Sequence, residues 1–342
     1  MMFDINNLTR ANIRRLKPYS SARDEFSGLD GIFLDANENP YGTLNRYPDP
    51  YQRELKKAIN DKREVESKNI FVGNGSDEII DLLFRIFCNP SKDKALTFSP
   101  TYGMYDVAAD INDVELIKIQ LNNVFDIDFP SIVDRISDPN LKLILICSPN
   151  NPSGNCLDFD AIERILKSFN GIVLIDEAYI DFSESKSFTD SIDRYPNLIV
   201  SQTMSKAWGL AAARVGLAFA NSQIIDLLNK VKPPYNVSQL NQDAAIQVFK
   251  RNNEFLESKK RILDAKDQLY SSLEQLDIIK KIYPSETNFF LVEVENANQV
   301  YDSLVKQKII VRNRNNVVRN CIRITVGTPE QNQLLIQALK ST

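Results

Sequence analysis

Lys206 stands in a sequence context that is unusual for a charged side chain. The strand-like apolar run 198–201 precedes it, and the mainly apolar stretch 208–213 follows it. A single lysine in a loop of small residues is normally a surface charge, whereas these flanks predict a buried position. Burial lowers the pKa of a lysine below its usual value of about 10.4. The free amine could then bond covalently to a carbonyl carbon.

Histidine is absent from the 342 residues. A Ser-His-Asp triad, a Cys-His pair and a histidine-based metal hydrolase are therefore excluded. Any general base must be Lys, Asp, Glu, Tyr or Cys. The cysteines have no Cys-x-x-Cys spacing, so we expect no metal site and interpret them as small core or loop residues of a reduced, cytoplasmic protein. They are Cys88, Cys147, Cys156 and Cys321.

Two further loops could bind an anion or orient a ligand. In the loop 73–78, Gly75, Ser76 and Asp77 lead directly into the helical sequence EIIDLLFRIF. A helix start offers unpaired N–H groups to an anion, although Ser76 or Asp77 could equally cap the helix. The loop 148–154 contains Asn151, and its composition is also typical of a simple turn.

Asp176 and Tyr102 each follow an apolar, strand-like run. A carboxylate at the end of a buried strand needs a partner, which a cationic ligand atom could supply. A helix cap would also account for Asp176. Tyr102 could stack on a flat ligand ring or serve only in packing. Arg214, eight positions after Lys206, adds a cation to the same set.

Short apolar segments predict the strands that would position these loops. They lie at 95–98, 141–147, 172–175, 198–201 and 215–220, and helical stretches separate most of them. Near-continuous apolar strands of this kind indicate a mostly parallel sheet covered on both faces. Ligand sites in such sheets lie at the carboxyl ends of the strands, which is where the candidate loops begin.

The chain changes character after residue 234. A long charged helical region at 239–276 precedes strand-like segments at 289–294, 309–312 and 322–326, and a last helix is predicted near 330–339. We therefore predict a large domain at 41–235 and a small α+β domain at 236–342. Residues 1–40 are too few to fold alone, and we expect this arm to pack with the small domain.

Composition limits the partners. The net charge is −4, hydrophobic residues make up 43% of the chain and charged residues 25%, which is ordinary for a globular protein. Basic clusters lie among acidic residues in helical context, so we expect no nucleic-acid partner. The N-terminus lacks the apolar stretch of a signal peptide, and no apolar run approaches the roughly 20 residues of a membrane span, so we expect no membrane partner.

Taken in order, these loops resemble the fold-type I enzymes that use pyridoxal phosphate, and within them the histidinol-phosphate aminotransferase family. The resemblance covers nearly the whole chain. Beyond the loops above, it rests on LKPY at 16–19, NENPYG at 37–42, NRYP at 45–48 and IRITVG at 322–327. It implies a large domain with a mostly parallel seven-stranded sheet between helices, and a smaller α+β domain.

The resemblance also implies a role for each candidate residue at the cofactor. Lys206 would hold pyridoxal phosphate as an aldimine, and Asp176 would pair with its ring nitrogen. Asn151 and Tyr179 would bind the ring's phenolic oxygen, and Tyr102 would stack on the ring. The remaining residues would bind the cofactor phosphate, and they are Gly75, Ser76, Asp77, Ser205, Arg214 and, from the neighbouring subunit of a homodimer, Tyr47.

For the substrates, the resemblance implies transamination between histidinol phosphate and 2-oxoglutarate, which gives imidazole acetol phosphate and glutamate in histidine biosynthesis. Arg323 would bind the carboxylate of glutamate. With Tyr19 and Arg312 it would also bind the phosphate of histidinol phosphate, because a guanidinium fork suits both anions. Asn39 would line the same pocket.

Three other functions remain open at this stage. An aromatic amino-acid aminotransferase or a threonine-phosphate decarboxylase of the same fold would keep Lys206, Asp176 and Arg214. A regulatory protein with this fold would carry a separate DNA-binding domain, and the residues before the core show no recognition-helix pattern. Arg312 favours a phosphorylated substrate. Gln202, where the family often has arginine, and Ala212-Ala213, where it often has glycine, depart from the usual pattern.

Overall fold

The computed structural model describes residues 4–18 and 31–342. Within them the chain forms a seven-stranded and a four-stranded β-sheet. The strands of the large sheet are β1 Ile70–Asn74, β2 Lys94–Ser99, β3 Glu115–Gln120, β4 Leu141–Cys147, β5 Ile172–Asp176, β6 Leu198–Thr203 and β7 Val215–Ala220. They are arranged in the order β1-β7-β6-β5-β4-β2-β3.

The large sheet is mostly parallel, as predicted. Strands β3, β2, β4, β5 and β6 pair in parallel, whereas β7 is antiparallel to both β6 and β1. A parallel return needs a crossover of a dozen or more residues, usually a helix. Only residues 204–214 connect β6 to β7, so this pair is antiparallel. The carboxyl ends of β1, β4, β5 and β6 consequently lie on one edge.

Helices cover both faces of the large sheet. Alternate residues of β4 and β5 belong to two separate buried clusters: Ile144 and Val173 to one, Leu143 and Leu174 to the other. Burial on both faces explains why these strands read as continuous apolar runs. The helices are α3 Arg53–Arg63, α4 Ser76–Phe87, α5 Met104–Ile111, α6 Phe159–Ser168 and α7 Ser222–Val231.

The second sheet is antiparallel and has its own buried cluster. Its strands are β8 Ile279–Ile282, β9 Phe289–Val294, β10 Arg312–Asn313 and β11 Cys321–Thr325, in the order β10-β11-β9-β8. Helix α8 Gln239–Lys250 packs on the large sheet, because its buried residues Ala245, Ile246 and Phe249 belong to a cluster of that sheet. The helices that accompany the second sheet are α9 Asn252–Leu273, α10 Ala297–Lys306 and α11 Pro329–Lys340. The helical region predicted at 239–276 is thus two helices, which meet at Arg251.

The described part of the N-terminal arm packs against the large sheet. It contains two short helices, α1 Ile5–Leu8 and α2 Ala11–Arg15, whose buried residues join the cluster around α4. The Arg10 backbone N–H donates to the Ile86 carbonyl at 3.0 Å, and Lys230 Nζ donates to the Arg14 carbonyl at 2.9 Å. For residues 4–18, the predicted packing with the small domain is therefore wrong, because their apolar side chains are covered by α4 and α7.

Candidate active site

One pocket collects most of the residues singled out from the sequence. It lies at the carboxyl ends of β1, β4, β5 and β6, where parallel strands bring distant loops together. Its lining consists of Ser76, Asp77, Tyr102, Cys147, Asn151, Asp176, Ala178, Tyr179, Thr203, Ser205, Lys206 and Arg214. Residues that lie up to 138 positions apart in the sequence thus share one small volume.

Asp176 forms the acidic floor of the pocket. Its carboxylate is only 2% exposed, and it accepts hydrogen bonds from the Tyr105 hydroxyl at 3.0 Å and the Ser201 hydroxyl at 3.2 Å. Burial raises the pKa of Asp176 to about 6, and the hydrogen bonds offset part of this rise. A carboxylate held this way favours a cationic group beside it.

Lys206 lies opposite Asp176 on the loop between β6 and β7. Its side chain keeps accessible surface because it faces the open pocket, so the prediction of a fully buried lysine was wrong. Protein atoms on its other sides still lower its pKa by desolvation, and the positive charge of Arg323 lowers it further. Lys206 Nζ lies 5.7 Å from the centre of the Tyr179 ring. The position suits an amine that reacts with a ligand in the pocket.

The loop that carries Lys206 is fixed by packing around Trp208. The Trp208 indole N–H donates to Asp181 Oδ2 at 2.8 Å, and its ring stacks on Phe255 at 3.8 Å between centroids. Arg63 completes the cluster with an ion pair to Asp181 at 2.8 Å. A backbone hydrogen bond from Gly209 to the Lys206 carbonyl closes the turn. The reactive amine is therefore attached to a rigid support.

The opposite end of the pocket is built to bind an anion. Helix α4 begins at Ser76, and its N-cap is Gly75 at φ +79°, so neither Ser76 nor Asp77 is the N-cap. The Asp77 side chain instead accepts from the Tyr102 hydroxyl at 3.1 Å and pairs with Arg214 at 3.3 Å. Unpaired N–H groups at a helix start and an adjacent guanidinium form an anion site.

Two glycines beside this anion site have no room for a side chain. A Cβ on Gly75 would lie 2.7 Å from Arg214 Nη2. A Cβ on Gly216, in the neighbouring strand β7, would lie 2.3 Å from the carbonyl carbon of Gly75 and 2.4 Å from the backbone nitrogen of Ser76. The close approach of β7 to the start of α4 thus depends on glycine at position 216.

Tyr179 and Asn151 form the wall between the pocket and the small sheet. Tyr179 is buried, packs edge-on against Phe289 at 5.2 Å, and has its pKa raised by burial. Asn151 Oδ1 accepts a hydrogen bond from Arg323 Nη1 at 2.6 Å. The small sheet therefore contributes a cation to the edge of the pocket, at a residue to which the resemblance assigns substrate binding.

The other predicted substrate residues lie further out. Arg312 is exposed and lies opposite Arg323 in the β10–β11 ladder. Asn39 is exposed, and its side chain accepts from the backbone N–H of Tyr41 at 3.0 Å. Tyr47 stacks on Tyr235 at 4.4 Å and lines a separate groove, so it is not in this chain's cofactor pocket. The predicted substrate residue Tyr19 lies outside the described residues.

Three pocket features were not identified from the sequence. The Tyr105 and Ser201 hydroxyls hydrogen bond to Asp176, and the buried thiol of Cys147 lines the pocket. Ser201 belongs to the apolar strand β6, where a serine with 0% exposure signals a polar partner. Burial raises the pKa of Cys147 well above its usual value, which makes it unreactive.

The described residues hold neither a candidate metal cluster nor a helix that could span a membrane. Residues 4–18 and 31–342 contain no cluster of three or more His, Cys, Asp or Glu side chains that could hold a metal ion. Over the same ranges, every helix is too short or too polar to cross a bilayer.

Comparisons with known proteins agree with the geometry. A family model described as aminotransferase class I and II matches residues 30–339. The histidinol-phosphate aminotransferase of Cytophaga hutchinsonii is 48% identical over 100% of both chains, and that of Parabacteroides distasonis is 49% identical over 99% of both. Among solved structures, the histidinol-phosphate aminotransferase of Clostridium acetobutylicum has a TM-score of 0.80 at 28% identity, and the alignment covers 87% of this chain and 90% of that one.

A second solved structure is similar in fold alone. It is the histidinol-phosphate aminotransferase of Sinorhizobium meliloti in complex with pyridoxal-5'-phosphate, with a TM-score of 0.79 at 21% identity, covering 90% of this chain and 89% of that one.

Proposed function

We propose that this chain, which belongs to the aminotransferase class I and II family, exchanges an amino group between histidinol phosphate and 2-oxoglutarate in histidine biosynthesis. The observation that carries the proposal is the position of Arg323. It joins the pocket of Lys206 and Asp176 through Asn151 and has Arg312 as its cross-strand neighbour. Amine chemistry and recognition of an anionic substrate thus meet at one place.

The donor set fits pyridoxal phosphate, the cofactor of this family. Asp176 is a buried carboxylate that favours a cation, which the protonated ring nitrogen is. Ser76, Ser205 and Arg214 surround the helix start that suits the phosphate. Tyr102 offers a flat face at the pocket wall. We assign the phosphate to the backbone N–H groups of residues 75–77, with Ser205 and Arg214 as side-chain donors.

Each pocket residue then has a defined task. Pyridoxal phosphate, when bound, supplies an electron sink that makes the α-proton of an amino acid acidic. Lys206 Nζ would accept that proton, and desolvation and the charge of Arg323 lower its pKa, which favours the neutral amine. Asp176 would hold a proton on the ring nitrogen. Tyr179 and Asn151 would bind the cofactor's phenolic oxygen and so orient the ring.

Substrate recognition falls to the arginines of the small sheet. We assign the carboxylate of glutamate to Arg323, whose pKa is lowered by burial and whose fork faces Asn151. We assign the phosphate of histidinol phosphate to Arg323 together with Arg312 and Tyr19, and we propose that Asn39 lines the substrate pocket once substrate is bound. One guanidinium can bind either anion in alternate half-reactions.

We also propose that the active unit is a homodimer. The segment 31–51 exposes large apolar side chains, with Ile32 at 92% and Leu34 at 87%, and it borders a groove that includes Tyr47 and Leu240. Contiguous exposed apolar surface of this kind is typical of an interface. In the dimer, Tyr47 would reach the cofactor phosphate of the neighbouring subunit. The chain would work in the cytoplasm, where its four free thiols stay reduced.

The presence of two sheets supports a division into two domains. We propose a large cofactor-binding domain at 41–235 and a small domain at 236–342, with the pocket at their junction. The second sheet has a buried cluster that is separate from the two clusters on the faces of the large sheet, which supports the division.

A half-reaction assay tests the proposed function. Purified holoenzyme is mixed separately with histidinol phosphate, phenylalanine and threonine phosphate, and the visible absorption of the bound cofactor is followed. Rapid loss of the band with histidinol phosphate alone is the expected result. Loss with phenylalanine alone would indicate an aromatic aminotransferase, and release of carbon dioxide from threonine phosphate would indicate a decarboxylase.

Mixed dimers test the shared site. The variants Lys206→Ala and Tyr47→Ala should each lose activity as homodimers. A dimer with one subunit of each kind keeps one complete site, with the lysine from one subunit and the tyrosine from the other, so mixing should restore activity. No recovery in demonstrably mixed dimers would refute the role of Tyr47 across the interface.

A further inference from the structure

The β10–β11 hairpin places its residues on two distinct sides. Asn313 and Asn315 both donate side-chain hydrogen bonds to Asn298 Oδ1, at 2.9 and 3.3 Å. Because side chains alternate along an extended chain, Arg312 and Arg314 project to the other side. The backbone N–H of Arg314 donates to the Cys321 carbonyl, so residue 314 continues the ladder that pairs Arg312 with Arg323.

Arg314 therefore shares a face with the two arginines that already serve the proposed substrate site. Its side chain is half-buried, and its Nε is buried without a hydrogen-bond acceptor among residues 4–18 and 31–342. The Nε of Arg323 has the same status within those ranges. Buried N–H groups normally have acceptors, so two adjacent unsatisfied ones point to a ligand oxygen.

The charges around Arg314 support an anionic ligand. Burial and the positive charges of Arg323 and Arg312 together lower its pKa to about 10. The phenol of Tyr179, a pocket residue, acts in the opposite direction. Carboxylates are absent from the groups that act on Arg314 within the described chain. Three guanidiniums thus converge on the pocket edge, where they repel one another until an anion binds.

We propose that Arg314 is a third substrate-binding arginine and that it selects the phosphate group of histidinol phosphate over a carboxylate. This inference rests on the proposed function. A phosphate monoester carries a charge of about −1.5 to −2 at pH 7 and offers three acceptor oxygens, whereas a carboxylate carries a single charge. Two arginines satisfy a carboxylate, and the third adds binding energy only for the more highly charged group.

The test compares Arg314→Gln and Arg314→Lys with Arg319→Gln, an exposed arginine on the same hairpin. The holoenzyme half-reactions with histidinol phosphate and with glutamate are measured separately. We expect Arg314→Gln to lower kcat/KM for histidinol phosphate by about 10- to 100-fold, the cost of one charge-assisted contact, mainly through KM. Its reaction with glutamate should match wild type. Arg314→Lys should retain part of the wild-type kcat/KM for histidinol phosphate, and Arg319→Gln should have the same kcat/KM as wild type.

Two outcomes would overturn the inference: an Arg314→Gln enzyme with unchanged kcat/KM for histidinol phosphate, or one that loses equally with both substrates. Failure of the proposed function looks different, because wild type would then react with glutamate and not with histidinol phosphate. In that case inorganic phosphate is tested as an inhibitor of the glutamate half-reaction. Weaker inhibition of Arg314→Gln than of wild type supports a phosphate site at Arg314, and equal inhibition refutes it.

Discussion

Asp176→Asn should stabilise the protein without cofactor while disabling the enzyme with it. The carboxylate is almost fully buried, and its pKa rises from 3.8 to about 6. A rise of about two pKa units corresponds to about 3 kcal/mol of folding free energy lost when the group is ionised. Asparagine has the same shape and removes that charge. Tyr105 and Ser201 can turn their hydroxyls toward it, but imperfect pairing should reduce the gain to about 1–2 kcal/mol.

The pH dependence has a definite sign. Because the folded-state pKa is raised, Asp176 costs no folding free energy well below pH about 4, where the carboxyl group is protonated in both the folded and the unfolded state. The cost grows between pH about 4 and 6 and is constant above that range. The advantage of Asp176→Asn over wild type should therefore be full at pH 8 and mostly lost at pH 4.5.

Urea unfolding of cofactor-free protein at these two pH values measures the effect. Asp110→Asn, which changes an exposed carboxylate, serves as the control and should follow wild type at both. With pyridoxal phosphate bound, wild type should be more stable than Asp176→Asn, because only wild type pairs a carboxylate with the ring nitrogen. The kcat of the variant should fall by 100-fold or more, which corresponds to about 3 kcal/mol. The reasoning would be refuted if the cofactor-free variant were less stable than wild type at pH 8. It would also be refuted if the variant's advantage in stability over wild type were as large at pH 4.5 as at pH 8.

Three further substitutions probe the support of the pocket. Gly216→Ala puts a Cβ against the backbone of Gly75, which cannot yield as a side chain would, so we expect a loss of about 2 kcal/mol or more in urea unfolding. Asp181→Asn weakens the contacts to Arg63 and Trp208 and should cost about 1–3 kcal/mol, seen as a lower Tm with a parallel fall in kcat. Arg214→Gln should raise the Kd for pyridoxal phosphate about 10- to 100-fold in equilibrium dialysis, and unchanged affinity would argue against the assigned phosphate site.

Much of the pocket was predictable because its residues follow recognisable strands. Asp176 ends one long apolar run and Asn151 lies four residues after another, and the ends of parallel strands share one edge. Their meeting was therefore implied by pattern alone. The loop of Lys206 follows strand β6 and reaches the same edge for the same reason, although its side chain faces the open pocket.

Other features depend on contacts that local sequence does not encode. Strand β3, with sequence ELIKIQ, alternates and is half-exposed at the sheet edge, so it did not match the continuous apolar pattern used for the other strands. Tyr105 lies in α5, and its bond to Asp176 spans 71 residues. Residues 4–18 pack on apolar surface of α4 and α7 that the sheet does not cover. That surface exists only once the sheet and its helices have assembled, so local sequence does not reveal it.

The cofactor site can form during synthesis of the chain only after β7 has been made, because β1 pairs with β7. Asn74 lies opposite Val215 in this ladder, and Arg214 closes against Asp77 beside it. The ribosome has made nearly two-thirds of the protein before Arg214, which lies beside the anion site at the start of α4, is available. A nascent or truncated chain that ends before residue 214 therefore has the start of α4 but lacks the guanidinium of the proposed phosphate site. Binding of the cofactor therefore measures whether these distant segments have folded together. Products of interrupted translation that end before residue 214 should lack the visible absorption of bound cofactor.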